Sequence, residues 1–374
     1  MPRELVIEKI EGKPGQVYYP LKVKEVPIPK PGPGQVLVQF KAAALNHRDL
    51  FIRQHLYPGL AFDTALLGDG YGTVVEEGPG CKRGLAGANV VALPMRGWED
   101  DPQGPPPGSN FHVSGGTVHS DSGCARDYAV FSENEVERAP AHLDAVGGAA
   151  LPLAGITGWR ALVTKSGAAE AGKNILITGI GGGVALQVLQ FAVALGVNAY
   201  VSSGSDEKIA RALKLGAKGG INYKKDGWEK ELKAALPAER RYLDAIIDGA
   251  GGPIVQKATR LLRTGGVVSQ YGMTVGPKMD WIMPAVLANI ELKGSTMGSH
   301  KEFRDMLAFV DKHKISPVIS KSIKGLDNMA GLEELFADMR DGKNFGKLVV
   351  EIDAPRAASP SKLCEFVSRR DKPC

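Results

Sequence analysis

The chain has 374 residues, 43% hydrophobic and 23% charged, the composition of an ordinary globular protein with room for two domains and a large core. Formal net charge is +5, and residues 354–374 supply +3 of it (five Lys/Arg less two Asp/Glu), so the body is close to neutral and nucleic acid is excluded as the expected partner. No apolar run approaches the ~20 residues of a membrane span. The charged N-terminal stretch lacks a signal-peptide core, and the four cysteines are scattered without a CxxC pair, so a reduced, cytoplasmic protein is expected.

Taken in order, residues 5–25 alternate like strands broken by Gly12, Pro14 and Gly15, and 27–33 is a proline-rich turn. Strands are expected at 36–42, 74–77, 89–93 and 125–131, which together predict a compact β-rich unit. Between them, 96–123 carries Pro102, Pro105, Pro106, Pro107 and many glycines and predicts a long loop. Helices follow at 144–151 and 156–163. Then the pattern changes to strands at 175–178, 199–202, 220–222, 245–247, 267–271 and 291–293, with helical stretches such as 206–215 between most of them. That alternation predicts a doubly wound parallel sheet. Helices at 303–313 and 332–340 and a strand at 347–352 close the pattern, and 354–374 reads as a mobile tail.

One junction carries the chemistry. Asn174-Ile175-Leu176-Ile177-Thr178 runs into Gly179-Ile180-Gly181-Gly182-Gly183, and an apolar helix begins at Val184. Strand, glycines, helix is the first turn of a dinucleotide-binding fold: the glycines let the backbone approach a pyrophosphate, and the helix N-terminus presents free N–H groups to it. In this fold a carboxylate at the end of the second strand binds the ribose of NAD. Here that strand ends in Ser202-Ser203-Gly204-Ser205, with Lys208 three residues on. Small hydroxyl residues and a cation predict a 2′-phosphate, hence NADPH. Asp206 and Glu207 read as first-turn helix residues behind a Ser205 cap. Tyr223, ending the third strand, is a candidate to close over the adenosine.

Four stretches together resemble the medium-chain dehydrogenase/reductases: residues 36–42 leading to Leu45-Asn46-His47-Arg48-Asp49; Leu67-Gly68-Asp69-Gly70-Tyr71-Gly72; Leu151-Pro152-Leu153-Ala154-Gly155-Ile156-Thr157-Gly158-Trp159; and the glycine turn. The resemblance covers nearly all of residues 5–352. It implies an α/β protein, a GroES-like β-rich domain plus a doubly wound parallel-sheet Rossmann domain, with substrate and cofactor meeting in the cleft between them. The expected boundaries are 1–152 for the substrate domain, 153–297 for the NADPH-binding domain, 298–353 for the return to the substrate domain and 354–374 for the tail. A homodimer joined through Rossmann sheet edges is implied as well.

The departures bear on the reaction. Zinc alcohol dehydrogenases of the family carry cysteine where Asn46 stands, His-Glu where Asp69-Gly70 stand, and cysteine where Leu153 stands. Asn46 and Leu153 cannot replace those ligands, and 96–123 has no cysteines for a structural zinc lobe, so no metal is expected. The zinc-free branch, including quinone oxidoreductases, alkenal reductases and enoyl reductases, is similar in its Leu45-Asn46-x-x-Asp49 and Leu56-Tyr57-Pro58 patterns. The stretch Arg96-Gly97-Trp98 resembles zinc-type alcohol dehydrogenase-like proteins that have lost the metal; Trp98 is expected to pin its loop more than to wall a pocket.

This resemblance implies hydride delivery from NADPH to an activated C=C bond or a quinone. Tyr57 and Asn46 are the candidate catalytic residues, to meet the developing enolate charge. Asn46, Arg48, Thr157, Gly179, Gly181, Gly182, Gly183, Val184, Ser203, Lys208, Tyr223, Gly272, Met273, Thr274 and Met297 are the candidate cofactor contacts. A metal-free carbonyl or alcohol oxidoreductase, or an NADPH-binding protein with little catalysis, fits the same cofactor features.

Overall fold

The computed structural model describes residues 1–119 and 121–353; the predicted tail at 354–374 lies outside the described residues. Two sheets organise the chain. In the first, strands run in the order Ile319–Lys324, Lys347–Glu351, Gln35–Ala44, Asp69–Glu77, Asn89–Ala92 and Val136–Arg138, with Tyr128–Ser132 also paired to Gln35–Ala44. The last strand therefore returns to the N-terminal unit, pairing antiparallel to Gln35–Ala44 with Val349 opposite Ala44. That return carries Lys347 to the loop just beyond Ala44.

The second sheet is parallel throughout. Its order is Gly219–Asn222, Asn198–Ser203, Asn174–Ile177, Leu243–Asp248, Leu262–Gln270 and Glu291–Gly294. All six expected strands are present. The order reverses beside Asn174–Ile177, where the crevice above the strand ends is a ligand site by topology. The central strands Asn174–Ile177 and Leu243–Asp248 are buried along their whole length, as strands covered on both faces must be.

One apolar core joins the two units. Ala42, Ala44 and Tyr71 of the first sheet pack in one cluster with Ile156 and Trp159 of the helix Pro152–Trp159 and with Ile175, Ile177 and Val188 of the second unit. The helix expected from 156 begins four residues earlier, because Pro152 brings a preset φ and no orphan N–H to the first helical turn; Arg160–Lys165 continues it as a π turn.

The predicted loop at 96–123 is pinned rather than free. Met95–Arg96 pairs with His112–Val113. Trp98 is 1% exposed, its indole N–H donates to Asp101 O, and the Arg160 guanidinium lies over its ring at 4.4 Å. Arg160 in turn pairs with Glu302 at 2.7 Å and donates to Pro102 O. Trp98 is thus the expected anchor. No helix among the described residues is long and apolar enough to cross a membrane, and Cys81 and Cys124 are free thiols.

Candidate active site

A cleft of about 350 Å³ lies between the two sheets, above the strand ends of the second. The glycine turn forms its floor. Gly179 and Gly181 adopt φ of +64° and +133°, which side chains on an L-residue resist. A Cβ on Gly179 would meet nothing within 4 Å, so that glycine leaves an open cradle facing the cleft. Ile180 N–H donates to Ser202 O, and the twelve-residue helix Gly183–Ala194 starts directly behind.

At one end, Ser203 is buried and its hydroxyl accepts the Ser205 N–H. Ser205 caps the helix Asp206–Lys214, accepting the Lys208 N–H, as the sequence predicts. The Lys208 ammonium donates to Gly342 O and Asn344 O, both at 2.7 Å, and burial lowers its pKa. Asp206 faces away, paired with Lys225. Tyr223 is half exposed and closes on Gly204, where a Cβ would lie 2.9 Å from the phenol oxygen. The end of the second strand therefore offers hydroxyls and a cation.

At the other end, side chains from three distant segments converge on one another and on a backbone N–H from a fourth. Asn46, preceding the helix His47–Arg53, donates from Nδ2 to Asp69 Oδ2 at 2.8 Å. Asp69 is fully buried, and its Oδ1 accepts the Leu153 N–H at 2.7 Å, filling an orphan donor in the first turn of Pro152–Trp159. Lys347 completes the group: its ammonium donates to Leu45 O (2.8 Å), Asn46 Oδ1 (2.6 Å) and Asp69 Oδ2 (2.8 Å). Its stem crosses Gly183, where a Cβ would sit 2.7 Å from Lys347 Cδ. Below, the Asp49 carboxylate accepts the Asn46 N–H, and burial pushes its pKa up to about 6 despite the opposing Arg48 charge.

The cleft brings together Asn46, Gly179, Gly181, Gly182, Gly183, Val184, Ser203, Lys208, Tyr223 and Thr274. Other expected residues lie elsewhere. Tyr57 lines a separate shallow hollow with His55 and Phe62, its ring under the Arg48 guanidinium at 4.6 Å. Arg48 donates from its two terminal nitrogens to Ser114 O and Gly115 O, both at 2.8 Å. Thr157 and Met297 meet each other, Thr157 Oγ1 donating to the Met297 sulfur at 3.7 Å. Gly272 packs on Gly249, and Met273 on Gly251. These six are corrections to the expected lining: none is part of it, and each makes the protein contact just given, Gly272 on a glycine that itself lines the cleft.

Sequence reasoning missed Lys347, His47 and Tyr271, all of which line the cleft. Burial, then the Asp248 charge, push the Tyr271 phenol far up, so it stays protonated. The signal for Lys347 was slight: one cation opening the apolar strand Lys347–Glu351.

The comparisons agree with this architecture. Residues 32–141 match the alcohol dehydrogenase GroES-like domain, and residues 183–312 match the zinc-binding dehydrogenase family. The zinc-type alcohol dehydrogenase-like protein YogA of Leptosphaeria maculans is 57% identical over 94% of this chain and 100% of its own length. The chain belongs to the medium-chain dehydrogenase/reductase family. Another relative within this family, a zinc-type alcohol dehydrogenase-like protein of Schizosaccharomyces pombe, is 34% identical over 89% of this chain and 95% of its own. A putative alcohol dehydrogenase structure from Sinorhizobium meliloti 1021 superposes with TM-score 0.80 at 30% identity, covering 93% of this chain and 99% of that one. A crotonyl-CoA carboxylase/reductase in complex with NADP shares the fold, with TM-score 0.77 at 22% identity over 95% of each chain.

As a medium-chain dehydrogenase/reductase the chain binds a nicotinamide cofactor, and its residues fit one: the Gly179 cradle is open, and the helix N-terminus at Gly183 faces it. A zinc ion does not fit. The positions expected for its ligands hold an amide, a carboxylate and an alkyl chain, and Asp69 already accepts three hydrogen bonds. Cys124 lies against Gly70, but burial raises its pKa and its thiol proton donates to Gly68 O, whereas a metal needs the thiolate. Among the described residues no group of three His, Cys, Asp or Glu side chains is arranged to hold a metal.

Proposed function

We propose that this oxidoreductase is an NADPH-dependent, zinc-free reductase of activated C=C bonds (enones, alkenals, enoyl thioesters) or quinones. One observation carries the reading: where a zinc-dependent relative needs metal ligands, this chain builds a closed amide–carboxylate–ammonium group from Asn46, Asp69 and Lys347. Direct alcohol oxidation needs strong stabilisation of an alkoxide, which a Lewis acid supplies. An enone spreads its developing charge onto an oxygen that a neutral donor can meet.

Bound NADPH supplies a hydride for the β-carbon of the acceptor. An enone that accepted it would carry its developing charge on the carbonyl oxygen and would take its α-proton from water. Asn46, which lines the cleft, would be the neutral donor for that oxygen. The glycine turn and the helix behind it hold the pyrophosphate, and Ser203 and Lys208 favour the 2′-phosphate over a bare ribose. Tyr57, held under Arg48 away from the cleft, is given no role in the chemistry.

A homodimer is part of the reading. The strand Glu291–Gly294 ends the parallel sheet with Leu292 exposed, and Trp281, Met283 and Leu287 are exposed close by in sequence. Sparse cysteines, with Cys81 and Cys124 unpaired, favour the cytoplasm.

The test is NADPH oxidation against enones, 2-alkenals, an enoyl thioester, quinones and simple ketones, with NADH and EDTA controls. Turnover of enones or quinones, unaffected by EDTA, is expected. Activity lost to EDTA and restored by zinc would overturn the zinc-free assignment. Reduction of ketones alone would favour a metal-free carbonyl reductase, the second reading, which the alcohol dehydrogenase relatives support.

A further inference from the structure

The Asn46 corner has a property that neither the family match nor the cofactor site requires. An ammonium has three N–H donors and no acceptor. Lys347 fills all three, on Leu45 O, Asn46 Oδ1 and Asp69 Oδ2, at 2.6–2.8 Å and with only 4% of its surface exposed. It has no proton left for a ligand. Its effect passes through the groups it holds.

The group most constrained is the Asn46 amide. Only its oxygen can face the ammonium, and only its NH2 can face the Asp69 carboxylate. The two partners therefore fix which way round the amide stands, leaving no equivalent flipped state. Among the described residues Nδ2 has one protein acceptor, Asp69, so one N–H remains. Asn46 lines the cleft. The bond from Lys347 to Oδ1 also draws density out of the amide and strengthens that remaining N–H as a donor.

We propose that Lys347 is a positioning residue that, with Asp69, locks and polarises the Asn46 amide as the electrophile of the cleft, presenting one Nδ2–H to the carbonyl oxygen of the substrate. This deepens the proposed reductase reading and rests on it for the identity of the substrate. Asp69 balances the ammonium charge, so the corner carries no net charge of its own; what it presents to the reacting oxygen is an amide dipole held in one orientation by an ammonium on its oxygen and a carboxylate on its nitrogen.

The test has two arms. The first needs no turnover. A push–pull chromophoric enal, 4-(dimethylamino)cinnamaldehyde, absorbs at longer wavelength when its carbonyl oxygen accepts a strong hydrogen bond. With NADP+, which cannot reduce it, the wild-type protein is expected to shift the bound probe to the red. Lys347→Met should retain less than half of that shift, and Asn46→Ala none. The second arm is kinetic: kcat for enone reduction should fall roughly a hundredfold in Asn46→Ala and about tenfold in Lys347→Met, with KM for NADPH held within about threefold.

An unshifted or unbound probe in the wild-type protein overturns the inference, as does a full shift in Lys347→Met. A loss confined to NADPH affinity, with kcat unchanged, would assign Lys347 to the cofactor phosphates and overturn it too. A normal pattern of shifts without turnover of any acceptor would retire the reductase reading and leave the lock standing. If Lys347→Met does not fold, Lys347→Arg carries the test. A planar guanidinium cannot meet the three acceptors as an ammonium does, so an undiminished shift there overturns the proposal.

Discussion

The two ends of the cleft are built in opposite ways. The glycine turn is backbone: five consecutive residues, left-handed φ at Gly179 and Gly181, and the N-terminus of one helix. Its chemistry is local, and it works by leaving side chains out. The Asn46 corner is side chains: an amide, a carboxylate and an ammonium drawn from positions 46, 69 and 347, closed by a backbone N–H at 153. It works by pairing charges and polar groups, with one Asn46 N–H left over. A site made of absences tolerates few additions, and a site made of paired charges tolerates few removals.

The largest effect should come from breaking the second kind. Asp69→Asn leaves the Lys347 ammonium buried without its counter-charge, and removing one partner of a buried pair costs about 3–5 kcal/mol. Denaturant unfolding would read the loss. Adding Lys347→Met to that variant should recover more than half of it, because the orphaned charge is gone. A double variant no more stable than Asp69→Asn would show that the pair is not what holds this corner.

The same contrast explains what was legible. The six parallel strands, the glycine turn and the Ser205 cap each rest on a short run of residues whose backbone preference is written in place. Trp98 as an anchor was readable from a lone large aromatic in a proline-rich loop. Lys347 was not, because nothing within ten residues of it hints at Asn46 or Asp69; only the return of the last strand to Gln35–Ala44 makes them neighbours. Tyr57 failed for the converse reason. The motif places it near the cleft, but Arg48 is drawn to the carbonyls of Ser114 and Gly115, and the tyrosine ring stacks beneath it. The approach of that loop is a tertiary event that no local pattern encodes.

Asp49 offers a pH test of the same corner. Its pKa stands near 6 in the fold, mainly through burial, against about 4 in an unfolded chain. The folded state therefore holds a proton that the unfolded chain releases between those values. Stability from this group is present below pH 4 and lost as pH rises through 6. Two units correspond to about 3 kcal/mol. Asp49→Asn cannot titrate, so its stability relative to wild type should improve by about that amount between pH 4 and pH 7 in paired denaturant curves. A difference independent of pH would mean that the Asp49 pKa does not change on folding.

At the backbone end, Gly181→Val should cost cofactor rather than fold. At φ +133° a β-branched residue is strained by about 1–3 kcal/mol, and its Cβ would lie 3.0 Å from Lys208 Cδ beside the cleft. NADPH affinity, read by fluorescence titration, should fall about a hundredfold while the protein still folds. Unchanged affinity would remove the turn from the cofactor site.

Lys208→Ala should give the smallest effect and the sharpest discrimination. The ammonium now donates to Gly342 O and Asn344 O, and Gly346 N–H donates to Gly181 O beside it. The lysine is thus placed either to trade those carbonyls for a 2′-phosphate or only to hold the return segment over the turn. A hydrogen bond to a charged group contributes about 1.5 kcal/mol or more. If the lysine reads the phosphate, NADPH affinity falls about tenfold and NADH affinity changes less than about twofold. If it only ties down the segment 342–346, both cofactors weaken together, because that segment closes over the pyrophosphate turn they share. The ratio of the two losses decides between cofactor recognition and closure, and with it whether the serine-rich end of the second strand is what selects NADPH.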